Sequence, residues 1–289
     1  MIDHSPLPVR DVPGRLLLRT EGECDLDAAH LLEVFAEQRQ RFAAVLQEFG
    51  PEDWAAPTRC ADWSAHDVVR HLCDCNAVGK ALVVGADDGT LDITAGFDPR
   101  ITPRGWLAAS AGEPPGATLS RFVATTEQVL ALLRAGLAQS RRFDVPLPYG
   151  PMDWTVLLLH AFWDSWIHER DVLLALGADH PTGGDATVYA AAYGLFIAAA
   201  VASMFGDQVQ EKLTLGGDGG GVFDLDCRGA VTLTVTRVTT AGPPAADVTD
   251  ALAGRAQTAA VLGYLPPSSR AALSRLADFF NTPIEPSPT

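Results

Sequence analysis

Between Asp153 and Leu176 the chain runs through Trp154, Val156, Leu157, Leu158, Leu159, Phe162, Trp163, Trp166, Ile167, Val172 and Leu173, with no Gly or Pro to interrupt a helix. Such residues cover every face of a helix and leave no side for water, so the segment belongs in the middle of a bundle. Any polar group inside it is costly. His160, Asp164 and His168 stand at successive four-residue spacings there and line one face. A carboxylate beside Trp163 and Trp166 must be paired, hydrogen-bonded or bound to a cation. Asp164 with His168 one turn later offers an oxygen and an imidazole nitrogen, a donor set suited to zinc and acceptable to iron, nickel or manganese.

The remaining apolar periodicity supplies partners for this helix. Leu31, Leu32, Phe35, Phe42, Val45 and Leu46 predict an amphipathic helix over Asp25–Phe49, stopped by Gly50-Pro51. Ser64 opens a second helix, with Asp67 completing a capping-box pattern, and Val68, Val69, Leu72, Val78, Leu82 and Val83 carry it to Gly85. Ala117–Ala138 is a third, with Asp153–Leu176 the fourth. Residues 86–116, rich in Asp, Gly and Pro, read as a long irregular loop. After Gly177 one more apolar helix, Asp185–Phe205, leads into period-2 segments: Lys212–Leu215, Val222–Cys227, and Val231, Leu233 and Val235 alternating with threonines. Helices over Ala251–Leu262 and Ser268–Phe280 follow. The expected fold class is α+β: a four-helix bundle over 16–178 and a small α+β domain over 185–282, with the boundary near 178–184. The ends before Leu16 and after Pro283 read as frayed.

The second helix offers a third donor, His71, two turns past Ser64 and flanked by Val68, Val69 and Leu72. His71, Asp164 and His168 together are the candidate metal ligands. Three protein ligands leave an open coordination position, the mark of a catalytic site. Cys75 lies one turn after His71 on the same face, so it is within reach of the metal, whereas Cys73 points elsewhere. Both read first as buried small hydrophobes. Asp171 is placed to accept from a ligand's other ring nitrogen. Trp54 and Trp63 flank the loop into the second helix and read as packing on the bundle end, with a substrate-facing aromatic as the alternative. The glycine run 216–221 lacks the Gly-Lys-Ser/Thr ending of a phosphate loop and reads as a hairpin turn.

Composition excludes several classes. The net charge of −15, with lysine only at positions 80 and 212, provides no basic cluster for nucleic acid. The most apolar stretch, Tyr189–Phe205, is at the short limit for a membrane span and reads as a buried helix. The odd number of cysteines and the absence of a leader-like h-region fit reduced thiols in a cytoplasmic protein. A monomer or homodimer acting on a small molecule is expected.

Two stretches resemble the signature blocks of the mycothiol-dependent maleylpyruvate isomerase family. One runs from Pro57 through Cys60, Trp63 and Ser64 to His71-Leu72; the other runs from Asp164-Ser-Trp-Ile-His168 through Asp171 to Gly177. The resemblance implies a DinB-like four-helix bundle, commonly followed by a small sterol-carrier-like domain. Ala246-Asp-Val and Ala253-Gly-Arg255 loosely resemble that domain's strand-to-helix end. It further implies a zinc held by a His and by an acidic residue and a His four apart, which map onto His71, Asp164 and His168. Mycothiol is implied as cosubstrate, and isomerase or thiol S-transferase chemistry as the activity. The chain departs from the pattern in three ways. Asp164 stands where glutamate is usual, His160 is an additional polar residue on the ligand face with a candidate catalytic role, and residues 86–116 do not clearly reproduce an arginine-bearing segment. Arg100 (cofactor binding) and Arg104 (catalysis) are the candidates for that segment. The competing reading is a non-catalytic ligand-binding or regulatory protein whose metal is structural or absent.

Overall fold

The computed structural model describes residues 16–19, 24–25, 27–88, 98, 100–140, 144–147, 150–238 and 240–281. Strands β1 (Leu16–Arg19) and β2 (Cys24–Asp25) precede α1 (Ala28–Gln47), the short α2 (Pro51–Ala55) and α3 (Ala65–Asp88). Then come α4 (Thr102–Ala109), α5 (Pro115–Ala138), the hairpin β3 (Asp144–Leu147) and β4 (Gly150–Asp153), and α6 (Trp154–Ala175). The remainder is α7 (Gly184–Met204), strands β5 (Gln210–Leu215), β6 (Gly221–Asp226) and β7 (Thr232–Thr236), and helices α8 (Ala245–Leu252), α9 (Thr258–Val261) and α10 (Pro267–Asn281). The fold is α+β, as expected, with α1, α3, α5 and α6 forming the bundle.

The apolar character of α6 has its predicted consequence: Trp154, Val156, Leu158, Leu159, Phe162 and Trp166 are all essentially inaccessible. Helix α7 is the other fully wrapped helix. It is long and apolar enough to cross a membrane, but 83% of its most apolar window is buried in this molecule. It lies between α6 and α1 on one side and α8, α10 and strands β6 and β7 on the other, so one apolar core runs from bundle to sheet. Burying a Leu or Phe side chain contributes about 2 kcal/mol, and this shared core gives the two parts a common source of stability.

Four features differ from the sequence expectation. First, Leu16–Arg19 lies in the stretch assigned to the bundle, yet it hydrogen-bonds antiparallel to β7, with Leu18 opposite Leu233. It completes a five-stranded sheet of order β2-β1-β7-β6-β5. Four residues, of which Leu18 is buried, carry too little periodicity to show a strand by themselves. Second, the expected loop 86–116 contains α4. Pro103 sits in the first helical turn, where its missing N–H costs nothing. Arg70 Nη1 then ties the far end down by donating to Leu107 O at 2.9 Å and Ser110 Oγ at 3.0 Å. Residues 89–97 of that segment lie outside the described residues. Third, the helix expected over Ala251–Leu262 is two helices, α8 and α9, separated at Gly254, whose φ of 78° ends α8. Fourth, Asp144–Leu147 and Gly150–Asp153, for which no strands are expected, pair as a hairpin in front of α6. The glycine run does join β5 to β6, with Leu215 opposite Gly221.

Candidate metal centre

The start of α3 is set by reciprocal bonds. Ser64 N donates to Asp67 Oδ2 at 2.9 Å, and Asp67 N donates to Ser64 Oγ at 3.2 Å. This fixes the phase of the helix, so His71 and Cys75, four residues apart, face α6 together. At the head of α6 the Asp153 carboxylate accepts from Thr155 N at 2.9 Å. Two and a half turns later Asp164 and His168 meet the α3 pair.

The three predicted donors converge. His71 Nε2 lies 3.8 Å from Asp164 Oδ1, and His168 Nε2 lies 3.6 Å from the same oxygen. The two imidazole centroids are 4.9 Å apart, edge to face. His71 and His168 are buried, while the Asp164 side chain is 18% exposed and gives the cluster its solvent-facing edge. Cys75 joins from α3, its Sγ 3.3 Å from His71 Nε2. Donor atoms of His71, Cys75 and Asp164 all lie within 4.8 Å of one another.

A second shell holds His168. Its Nδ1 is 3.2 Å from Asp171 Oδ2, and a carboxylate can only accept, so Nδ1 carries a proton and Nε2 is the nitrogen that faces Asp164. Asp171 is itself clamped by Arg255, whose Nη2 donates at 2.7 Å. Burial alone would raise the Asp171 carboxyl. The hydrogen bond from His168 and the charge of Arg255 outweigh it and hold the group well below the carboxylate range. Cys60, reaching in from the loop before α3, groups with His168 and Asp171, and burial pushes its thiol up to about 12.

The electrostatics of the donors follow from the same geometry. Burial is the largest influence on His71 and lowers it, favouring the neutral imidazole a cation needs, although Asp164 opposes the shift. For Asp164, burial would raise the carboxyl, but the charge of His168 and the hydrogen bond and charge of His71 pull it below the usual range. Burial, followed by the neighbouring Asp164 charge, pushes the Cys75 thiol well up. Among the described residues no arginine or lysine is hydrogen-bonded to Asp164. Arg39 acts on it only through space. Its guanidinium is buried over Phe35 and Phe122, and its Nη2 donates to Asn76 Oδ1 at 3.3 Å.

The other sequence candidates are placed differently. His160 is one turn before Asp164, but its Nδ1 is 2.7 Å from Tyr193 Oη on α7, and it belongs to neither donor group. Arg104 pairs with Asp62 at 3.5 Å and is half exposed. Arg100 is held by Asp98 and lies over the Phe279 ring at 4.6 Å, away from both donor groups. Cys73 faces Thr118 O on α5. Trp54 packs on Phe49 and His66, as expected of a bundle-end aromatic. Trp63 does more: its ring lies 4.9 Å from His71 and stacks 6.0 Å from His168, covering both imidazoles.

A groove of about 290 Å³ opens beside Trp63, lined also by Pro57, Thr58, Cys60, Asp62 and Asp67. A larger cavity of about 510 Å³, formed by the glycine turn 216–219 with Pro244 and Asp247, does not touch the donor cluster. The smaller groove is the one that shares Trp63 and Cys60 with the donor groups. Sequence reasoning did not find Trp63, Cys60 or Arg255 as site residues. Each comes from a loop or from the distant C-terminal segment, where no periodicity indicates which way a side chain points.

The fold is thus that of an α+β protein whose helical bundle presents a His/Asp/His donor set. Residues 35–173, just under half of the chain, match the model described as the mycothiol maleylpyruvate isomerase N-terminal domain. No curated protein sequence matches the chain significantly. Two solved structures share the fold, both crystal structures of a mycothiol-dependent maleylpyruvate isomerase. One is a histidine-to-alanine mutant at 13% identity and TM-score 0.57, covering 80% of this chain and 91% of that chain. The other matches at 14% identity, with the same TM-score and coverage.

Proposed function

We propose that this protein is a metal-dependent enzyme of the isomerase or thiol S-transferase type, acting on a small electrophile with a small thiol as cosubstrate. His71, Asp164 and His168 hold a divalent cation, zinc by the mixture of carboxylate and imidazole donors. One observation carries the reading: a half-buried carboxylate faces two imidazoles 3.6–3.8 Å away, with no arginine or lysine hydrogen-bonded to it among the described residues. When bound, the metal supplies the charge that keeps a thiol as thiolate at neutral pH. The thiol is mycothiol and the electrophile maleylpyruvate-like, by analogy with the two structural neighbours.

The chain's own residues do the rest. Asp171, fixed by Arg255, keeps the His168 tautomer and ring orientation. Trp63 covers the imidazoles and excludes water on the groove side. Asp164 is the donor reached from solvent, so reactants enter there. Arg104 beside Asp62 at the groove edge recruits an anionic substrate, and His160, bonded to Tyr193, is the proton-handling group nearest in sequence to Asp164. Arg100, already committed to Asp98 and Phe279, takes no part in this reading.

Elemental analysis of protein purified without a metal-affinity tag tests the site. Stoichiometric metal in the wild type and its loss in His168→Ala are expected, with turnover of maleylpyruvate in the presence of mycothiol. A wild type that carries no metal and takes up none on dialysis would refute the reading.

A further inference from the structure

We propose that Cys75 is a fourth protein ligand, so that the resting site is a closed His71/Cys75/Asp164/His168 shell. The inference rests on the metal reading above and deepens it, because a three-ligand site with an open position makes no use of this thiol.

The spacing of the donor atoms carries the argument. A tetrahedral zinc shell with bonds of roughly 2.0–2.3 Å to nitrogen, oxygen and sulfur sets its donors roughly 3.3–3.7 Å apart. The observed separations are 3.3 Å for Cys75 Sγ to His71 Nε2, 3.8 Å for His71 Nε2 to Asp164 Oδ1 and 3.6 Å for His168 Nε2 to Asp164 Oδ1. Two edges of such a tetrahedron, from Asp164 Oδ1 to each imidazole Nε2, are therefore already formed, and Cys75 Sγ stands beside the His71 ring, 3.8 Å from Nδ1 as well. Cys75 also lies within 4.8 Å of the Asp164 carboxylate.

Helix geometry favours the same answer. Cys75 follows His71 by four residues, as His168 follows Asp164, so α3 and α6 each contribute an i, i+4 pair and the two pairs face across the bundle. Sulfur on this face meets an imidazole and lies within 4.8 Å of a carboxylate. The neighbouring Cys73 shows the contrast: it sits in an apolar cluster with Leu72 and Phe122 and approaches only the Thr118 carbonyl. Cys60 stands on the far side of His168, with Asp171, where Nδ1 is already engaged.

The consequence is that the metal needs no exogenous ligand to complete its shell, and any thiol cosubstrate competes with Cys75 for the metal. A site closed by a protein thiolate also gains affinity for zinc and cobalt over magnesium or manganese.

Cobalt(II) substitution of the full chain tests this without any activity measurement. The wild type is expected to bind one cobalt per chain with the near-ultraviolet sulfur-to-cobalt charge-transfer band of thiolate ligation. Cys75→Ser, nearly isosteric, is expected to bind cobalt still but to lose that band, while Cys60→Ser and Cys73→Ser keep it. Cobalt binding by the wild type without the band, or a band that persists in Cys75→Ser, overturns the inference and leaves the three-ligand site standing. No cobalt binding at all overturns both. If Cys75→Ser does not fold, iodoacetamide mapping of the wild type decides: Cys75 is expected to be alkylated in metal-free protein and protected when cobalt is bound, and equal labelling in the two states overturns the inference.

Discussion

Helix α6 carries two polar clusters one turn apart, and they solve the problem of buried charge in opposite ways. At residues 169–171 every charge has a protein partner. Glu169 accepts from Arg41 and Gln38 on α1 and is 3.2 Å from His180. Arg170 donates twice to Asp250 on α8, at 2.7 and 3.1 Å, and Asp171 is clamped by Arg255. These bonds tie the bundle to the C-terminal helices. At residues 164–168 the carboxylate has only imidazoles, and the nearest thiol is neutral. The first cluster is complete as built; the second has no arginine or lysine partner among the described residues, which is what supports the metal reading. Low dielectric makes an unpaired buried charge so costly that the difference between the two marks the second as a site.

Breaking the complete cluster should give the largest effect. Asp171→Ala leaves Arg255 without its main counter-charge in a buried setting and frees the His168 ring. A loss of about 3–5 kcal/mol is expected, read by urea denaturation of metal-free protein. An unchanged midpoint would show that this cluster is ornamental.

The incomplete cluster should respond to metal instead. Zinc at about 100 times its dissociation constant should raise stability by about 2.7 kcal/mol in the wild type, read as a rise in melting temperature. Asp164→Asn should abolish that rise while changing the metal-free protein much less than Asp171→Ala does. Equal zinc stabilisation of both proteins would remove Asp164 from the site.

Next in size is Glu169→Gln, which leaves Arg41 and His180 with a weaker acceptor and should cost about 1–3 kcal/mol at neutral pH. Burial would raise the Glu169 carboxyl, but the bonds from His180 and Arg41 hold it below its ordinary value. A depressed folded-state value gives stability that is present above the unfolded pKa of about 4.3 and is lost as pH falls through the folded one. The gap between wild type and variant in urea midpoint should therefore narrow as pH falls from 6 toward 3. A gap that widens on acidification would contradict the assignment.

The smallest effect belongs to the groove edge. Arg104→Ala removes a half-exposed pair with Asp62 and should change stability by less than about 0.5 kcal/mol. In the enzyme reading it raises KM for an anionic substrate more than it lowers kcat. A fall in kcat alone would place Arg104 in the chemistry and not in recruitment.

The sequence was most informative where periodicity and polarity disagree. Asp164 and His168 could be read from one helix because a turn of α6 brings them to one face whatever surrounds them. His71 could be joined to them through the capped start of α3 and the resemblance of its block to a known family. The residues that finish the site were not legible in this way. Trp63 and Cys60 sit in a loop whose path is set by its bonds to Asp171 O and Ser64, and Arg255 comes from beyond the sheet. Likewise, α4 was hidden in a proline-rich segment because it is tied down by the Arg70 side chain of the preceding helix.

What the chain settles by itself is local: which segments are helical, which faces are apolar, and that a carboxylate and imidazoles share one of those faces. Those follow from the backbone's fixed 3.6-residue turn and the cost of burying a polar group, neither of which needs a partner to be known. The tertiary structure alone decided that Leu16–Arg19 joins the C-terminal sheet, that the His71–Cys75 face of α3 meets Asp164, and that an arginine 84 residues away from Asp171 steadies the His168 imidazole. Contacts between distant segments depend on how helices and sheet pack in three dimensions, and no spacing along the chain records that.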